Sequence, residues 1–405
     1  MASNIRRCRN ASEEISAAAE IIGGNEDLVV EILLRLPAKS LIRLNSVSKT
    51  WLSLISGYRF SILWQQHQRQ PKISGLFFTS RYRYDIKYIP PMHIIKSESD
   101  CDCNINSTNG GEYNSLALIR DMDTTKIIDS CNGLILICCL FKPDYDSRTY
   151  HVYNPTTKQF STDLHRPFPQ TNFDLLYLTF DPLKSLQYKV VWLQKLVHEV
   201  DVVEEYWWFQ IHIYSSKTNE WKPSGHPFLA PLRVNFRNGV YCNGSIHWIT
   251  DPLKELGSLY FDVHQERLCP LQFPPFWDPF KFQHFGESRG HLHLVEHSRD
   301  IFKFDVFEME RDYSKWLFKY HVDLDTMDDL GSHLKCGGHK FYVLSLTLGE
   351  NDEEDSFMLL LEFHMNTIIF CNLKDNIFKK LLDVNTRQRC SSWRAHRCIE
   401  TLFPV

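Results

Sequence analysis

The chain has 405 residues, 45 basic and 49 acidic side chains and a formal net charge of -4, with 43% of its residues apolar. Length and apolar fraction fit two or three domains with real cores and exclude a disordered tail; the lack of a basic excess argues against a nucleic-acid partner held through its phosphates. The longest uninterrupted apolar run, Leu134 to Phe141, is far short of the roughly 18 residues of a spanning helix, so no membrane partner is expected.

Residues 1–24 carry Arg6, Arg7 and Arg9 and then Glu13, Glu14 and Glu20. This pattern lacks the basic segment and apolar core of a secretory signal, and the stretch is expected to be a disordered arm. The 12 cysteines include no Cys-x-x-Cys pair, so the spacing of a structural zinc site is missing and most are expected to be buried thiols. A reducing compartment, cytoplasm or nucleus, follows as the expected location.

From Asn25 to about Trp64 the apolar residues recur at helical spacing. Asn25 is a helix cap, with Glu26 and Asp27 in the first turn where the helix dipole favours them. Leu28, Val29, Ile32, Leu33 and Leu36 form one stripe, and Pro37 stops the helix. Leu41, Leu44, Val47, Trp51, Leu54 and Ile55 share a second face, with Ser46 as the cap for a break after Leu44. About forty residues in short helices cannot bury so many large side chains among themselves; the rest of the chain or another protein must cover the surplus.

The run Asp27-Leu28-Val29-Val30-Glu31-Ile32-Leu33-Leu34-Arg35-Leu36-Pro37-Ala38-Lys39-Ser40-Leu41-Ile42-Arg43, with Val47-Ser48-Lys49-Thr50-Trp51 and Leu54-Ile55, resembles the F-box. The chain departs from the family pattern at Gly24-Asn25, where a Leu-Pro pair is usual, at Ser48 in place of Cys, and at Tyr58 in place of Pro. The resemblance implies docking on the small Skp-type adaptor of a cullin-RING ubiquitin ligase. By position it assigns the contact to Leu28, Ile32, Leu33, Leu36, Pro37, Leu41, Val47, Trp51, Leu54 and Ile55. Trp51 and Ile55 are the first candidates to close the segment's own core instead.

After about residue 70 the helical period gives way to short β-type runs: Gly75–Thr79, Leu134–Ile137, Tyr188–Trp192 and Ile246–Ile249. They are separated by turn pairs such as Asn132-Gly133, Asn154-Pro155, Asp181-Pro182, Asn243-Gly244, Arg289-Gly290 and Gly337-Gly338, and no helical pattern intervenes. Glycine turns recur at Cys131–Leu134, Cys242–Ser245, Ser288–His291 and Cys336–His339, and a second kind of turn at Val152–Phe160, Ile213–Trp221 and Tyr260–Leu268. A period near 50 matches four-stranded blades of a kelch-type β-propeller, and the length of the region predicts about six of them. Ser130–Ile135, Asn154–Thr157, Phe180–Pro182, Tyr188–Val191, Val240–Gly244 with His247-Trp248, and Phe261-Asp262 resemble the F-box-associated domain of plant F-box proteins. The expected organisation is therefore a helical F-box over 25–64 and an all-β, propeller-like recognition domain over 65–405, with the acidic stretch Glu350 to Asp355 as a solvated insertion between strands.

No catalytic constellation can be assembled: neither a Gly-x-Ser-x-Gly elbow nor a phosphate-binding glycine loop occurs, and no cofactor is expected. His291-x-His293 with His297 is the best metal candidate, set against a strand that merely carries histidines on its accessible face. Trp207-Trp208-Phe209 could line a recognition surface or interlock blades. The Pro-rich segment with Phe276, Trp277 and Phe280 is the first expectation for a loop facing a target. The resemblance implies a non-catalytic adaptor subunit that binds an unidentified target protein. Against it stand a propeller enzyme or carbohydrate-binding module with the helices as a lid, and a decoy that binds adaptor without delivering targets.

Overall fold

The computed structural model describes residues 25–68, 73–80, 86–89, 125–140, 148–165, 175–196, 206–231, 234, 236–249, 258–272, 281–297, 303–324, 341–347, 356–362, 367–373, 377–383 and 393–405. The arm expected over 1–24 and the acidic stretch from Glu350 to Asp355 lie outside them.

Four short helices come first: α1 (Glu26–Leu34), α2 (Ala38–Leu44), α3 (Lys49–Ile55) and α4 (Tyr58–His67). Asn25 opens α1, its Oδ1 accepting from the Leu28 amide at 3.2 Å. The break before α3 is capped by Ser48, whose Oγ accepts from the Trp51 amide at 3.1 Å. Ser46, the expected cap, instead donates its hydroxyl back to the Arg43 carbonyl at 2.8 Å. It stands too far from α3 to reach the amides that open it, and close enough to α2 to satisfy a carbonyl left free at that helix's end. Trp64 Nε1 donates to the Leu36 carbonyl at 3.0 Å and so ties α4 to the turn between α1 and α2.

Two strands, β1 (Ile73–Ser80) and β2 (Ile86–Ile89), follow and belong to the last blade of a ring. The first blade comprises β3 (Thr125–Cys131), β4 (Leu134–Leu140), β5 (Arg148–Asn154) and β6 (Gln159–Phe160); the second, β7 (Leu175–Thr179), β8 (Lys189–Leu196), β9 (Tyr206–Ser215) and β10 (Glu220–Pro231). The third holds β11 (Val240–Cys242), β12 (Ser245–Trp248), β13 (Ser258–Asp262) and β14 (Arg267–Leu271). The fourth holds β15 (Phe282–Ser288), β16 (His291–His297), β17 (Lys303–Met309) and β18 (Trp316–Asp323). The fifth holds β19 (Phe341–Thr347), β20 (Phe357–Glu362), β21 (Thr367–Asn372) and β22 (Ile377–Asp383). Finally β23 (Trp393–Ile399) pairs antiparallel with β1, making the sixth sheet from both ends of the β region.

The innermost strands touch in sequence, β3 to β7, β11, β15, β19 and β23, and β23 returns to β3. This closes a six-bladed propeller, as the period predicts. One apolar cluster fills each gap between blades, such as Leu136, Val152, Leu178, Val190 and Trp192 between the first and second. Phe77, Ile127, Ile135 and Tyr153 close the ring between the sixth and the first. Large aromatic side chains fill these gaps: Trp192, Trp248, Tyr153, Phe77, Phe180, Phe261, Phe304 and Phe341 are fully buried, which is how facing β-sheets build a core.

The first two strands of three blades are joined by two-residue turns with both φ values positive: Asn132 (44°) and Gly133 (91°), Asn243 (51°) and Gly244 (88°), Arg289 (57°) and Gly290 (74°). Asn-Gly suits such turns because neither residue is penalised there. The two asparagines do more than turn the chain. Asn132 Nδ2 donates to the Phe180 carbonyl at 2.7 Å and Asn243 Nδ2 to the Gly290 carbonyl at 2.8 Å, each latching its blade to the next. Gly337-Gly338, read from sequence as a fourth such turn, lies outside the described residues and precedes β19 rather than following it. The connection from β19 to β20 is instead the longer stretch that contains the acidic run, so equal spacing of glycine pairs does not mean equivalent position in a blade.

Candidate functional site

The helical module divides its apolar residues in two. Helical neighbours sit about 100° apart around the axis, so the stripe Leu28, Val29, Ile32, Leu33 is too wide to face one way. Val29, Leu33 and Leu34 turn inward with Ala38, Leu41, Ile55, Phe60 and Trp64. Leu28 and Ile32, one turn apart on α1, stay 45% and 49% exposed. Val47, between α2 and α3, is 60% exposed and Pro37 is exposed at the other turn.

Of the ten residues expected to contact an adaptor, Leu28, Ile32, Pro37 and Val47 are thus presented to solvent, while Leu36, Trp51 and Leu54 are half-buried against the module's core. Leu33, Leu41 and Ile55 are closed into that core, at 0%, 0% and 3% exposure. In this structure these three pack inside the module and support the exposed side chains from beneath, so their expected contact with an adaptor is not displayed at the surface. Leu52, 45% exposed on α3, is an apolar side chain that the pattern did not single out. Its only signal was its place in a short apolar helix beside Trp51. Among the described residues, half of the exposed large apolar side chains belong to this module, although it is a small part of the chain.

The propeller has two ends. Contacts between blades join like with like, so the innermost strands begin together at a leading face and finish together at a trailing face. At the leading face Arg394, near the start of β23, donates from Nη2 to the Arg237 carbonyl and to Asn238 Oδ1, the latter at 3.0 Å. Arg237 and Asn238 lie just before β11, on the opposite side of the ring, so this arginine spans the axis. Lys126 and Arg148 begin β3 and β5 at the same end. Burial, and then the charge of Arg394, holds the Lys126 ammonium below its ordinary range. Phe276, Trp277 and Phe280 lie outside the described residues.

The other candidates resolve into structure. Phe209 is buried between the second and third blades, with Trp207 packed at the edge of that cluster under the Lys195 ammonium. His293 Nε2 meets Glu308 at 2.9 Å and His321 Nδ1 meets Asp305 at 2.7 Å, and both pairs are direct cross-strand partners. The hydrogen bond with His293 holds the Glu308 carboxyl down at about 2 against its burial. His297 stacks on Phe304 at 4.9 Å. Among the described residues no group of three or more His, Cys, Asp or Glu side chains is arranged to hold a metal. All seven described cysteines are free and six are buried; burial pushes the thiols of Cys398 and Cys371 up to about 11 and about 12, which makes them poor nucleophiles. No described helix is long and apolar enough to cross a membrane.

A helical module with an uncovered apolar face, carried on a closed six-bladed β-propeller, defines a two-part binding protein. The F-box domain family matches residues 25–63 and the F-box associated beta propeller domain family residues 91–400, and the chain belongs to the plant F-box proteins that combine the two. The F-box protein At5g07610 of Arabidopsis thaliana is 30% identical, with 91% of this chain and 87% of that one covered. The F-box/kelch-repeat protein At3g23880 of the same plant is 28% identical over 66% of this chain and 71% of that one. Among solved structures, the β-propeller domain of the trilobed protease from Pyrococcus furiosus is similar over 65% of this chain and 68% of that one, with 10% identity and a TM-score of 0.37.

Proposed function

We propose that this chain is the substrate-recognition subunit of an SCF-type E3 ubiquitin ligase. In this reading a Skp-type adaptor docks on the helical face and links it to a cullin, while the propeller holds a target protein, in the cytoplasm or nucleus. The chain makes and breaks no bond itself. It raises the effective concentration of the target near a ubiquitin-loaded enzyme. The helices are held where β5 finishes, through Leu402 between the Asn154-bonded Thr401 and Phe403, which leaves the leading face as the end that receives the target.

The observation that supports this most directly is the pair Leu28 and Ile32, left 45% and 49% exposed on one side of α1 while the residues that follow them, Val29 and Leu33, are buried. A protein partner covering them would remove apolar surface from water at about 25 cal/mol per Å². The test is a pull-down of purified Skp-type adaptor by the full chain and by Leu28→Asp with Ile32→Asp. The double variant is expected to lose at least about tenfold in affinity, since two carboxylates would enter an apolar contact, with the helical signal retained. Undiminished binding by a folded double variant overturns the assignment.

A further inference from the structure

The residues that follow β23 run between the two parts of the protein and belong to both. Thr401 and Phe403 are buried in the propeller: Asn154 Nδ2 donates to both of their carbonyls, at 3.1 and 2.7 Å. The Thr401 amide donates to Thr156 Oγ1 at 3.2 Å, and the Phe403 ring meets Phe180 edge-on at 5.3 Å. Leu402, between them, faces the other way. Its side chain completes the helical core with Val29, Leu33, Phe60 and Trp64, and its carbonyl accepts from Ser61 Oγ at 3.3 Å. Alternation of this kind is the period of an extended chain, used here to stitch two cores together.

Neighbouring residues reinforce the stitch. Ile62, the residue after Ser61 on α4, packs on the cluster between the first two blades, as does Val405. Gly133, at φ +91°, lets the first blade close over the segment: a Cβ there would stand 2.6 Å from both the Ile399 carbonyl oxygen and Thr401 Cγ2. Asn154, Phe180 and Gly133 all lie where strands of the first two blades finish, so the helices are fastened to the trailing face. Domains joined only by a linker move relative to each other by default; a segment buried in both removes that freedom.

We propose that Leu402 is a positioning residue. It locks the helical docking face to the propeller in one orientation, so that a protein held at the leading face is presented to the ligase at a constant distance. The consequence for ubiquitin transfer rests on the adaptor reading above, whereas the lock does not.

The experiment uses the full chain as wild type, Leu402→Ala and Leu402→Asp. It reads solution scattering, adaptor affinity and, in the reconstituted ligase, which lysines of the chain itself become ubiquitylated. For Leu402→Asp a larger radius of gyration, adaptor affinity within about threefold of wild type and a broadened set of modified lysines support the lock. Unchanged scattering with unchanged lysines overturns it. Loss of adaptor binding together with the helical signal also overturns the positioning role, reducing Leu402 to a core residue. If Leu402→Asp fails to fold, Leu402→Ala decides by hydrogen exchange. Amides of α4 are expected to exchange about tenfold faster or more, and exchange at the wild-type rate counts against the proposal. Failure of the wild type to bind adaptor would sink the adaptor reading alone, leaving scattering to decide the lock.

Discussion

Arg397 on β23 bonds Glu287 on β15, Nη2 to Oε2 at 2.6 Å, although β19 stands between their strands in the ring. The same nitrogen donates to the Glu287 main-chain carbonyl at 2.8 Å. With Arg394 spanning the axis at the leading face, this pair near the trailing face ties the closing strand across the propeller at both ends. The sixth blade joins the two ends of the β region through β1 and β23, so its closure is where the ring would open first.

Removing one partner of this pair should therefore loosen closure. Both side chains are about a quarter exposed, 23% and 24%, which places the cost below that of a fully buried pair. Arg397→Ala is expected to lower stability by about 1–3 kcal/mol. Glu287→Ala should cost at least as much, because its Oε1 also accepts from the Gly290 amide at 2.8 Å. Urea unfolding of both single variants and the double variant checks this. Losses below about 0.5 kcal/mol with no coupling would show that the pair contributes nothing to closure.

Leu33 and Ile32 are adjacent in sequence and opposite in role. Leu33→Ala empties a fully buried site in the helical core and is expected to destabilise the module by about 2–5 kcal/mol. Ile32→Ala, at a half-exposed position, should change stability by under about 0.5 kcal/mol while weakening adaptor binding. Circular dichroism melts paired with adaptor titrations separate the two effects. Equal melting losses for both substitutions would contradict the division of the stripe.

Acid should destabilise the propeller. Burial drives the imidazoles of His396, His247 and His284 down to about 3, about 4 and about 4, against an ordinary value near 6.5. Below about pH 6.5 the unfolded chain binds protons that the folded one refuses, so stability is full above that pH and falls as pH drops toward 4. Asp129 opposes this. Its buried carboxyl, raised to about 6, takes up a proton in the folded state first and adds stability as pH falls from about 6 toward 4. Three groups outweigh one, so the melting temperature should drop between about pH 6.5 and 4. His396→Gln should flatten that slope, and an unaltered slope in this variant would remove His396 from the account.

The helical period, the Leu-Pro stop and the Asn25 cap were all readable locally, because helix boundaries depend on groups within one turn. The six blades were readable from recurring turns, since each blade must reverse its chain three times with residues that tolerate the geometry. The side each apolar residue of α1 faces was not readable, because it depends on where α4 and Leu402 pack. Nor was the second task of Asn132 and Asn243, whose side chains reach a neighbouring blade some fifty residues away.

Sequence by itself determined that this protein is a helical F-box module followed by a β-propeller, because periodicity and turn chemistry are local properties that survive without knowledge of neighbours. Only the tertiary structure decided that β1 and β23 close the ring together, that Arg394 crosses its axis and Arg397 reaches past a blade, and that Leu402 belongs to the core of helices more than three hundred residues before it. Those relationships join residues far apart in the chain, and contacts of that kind leave no period behind them.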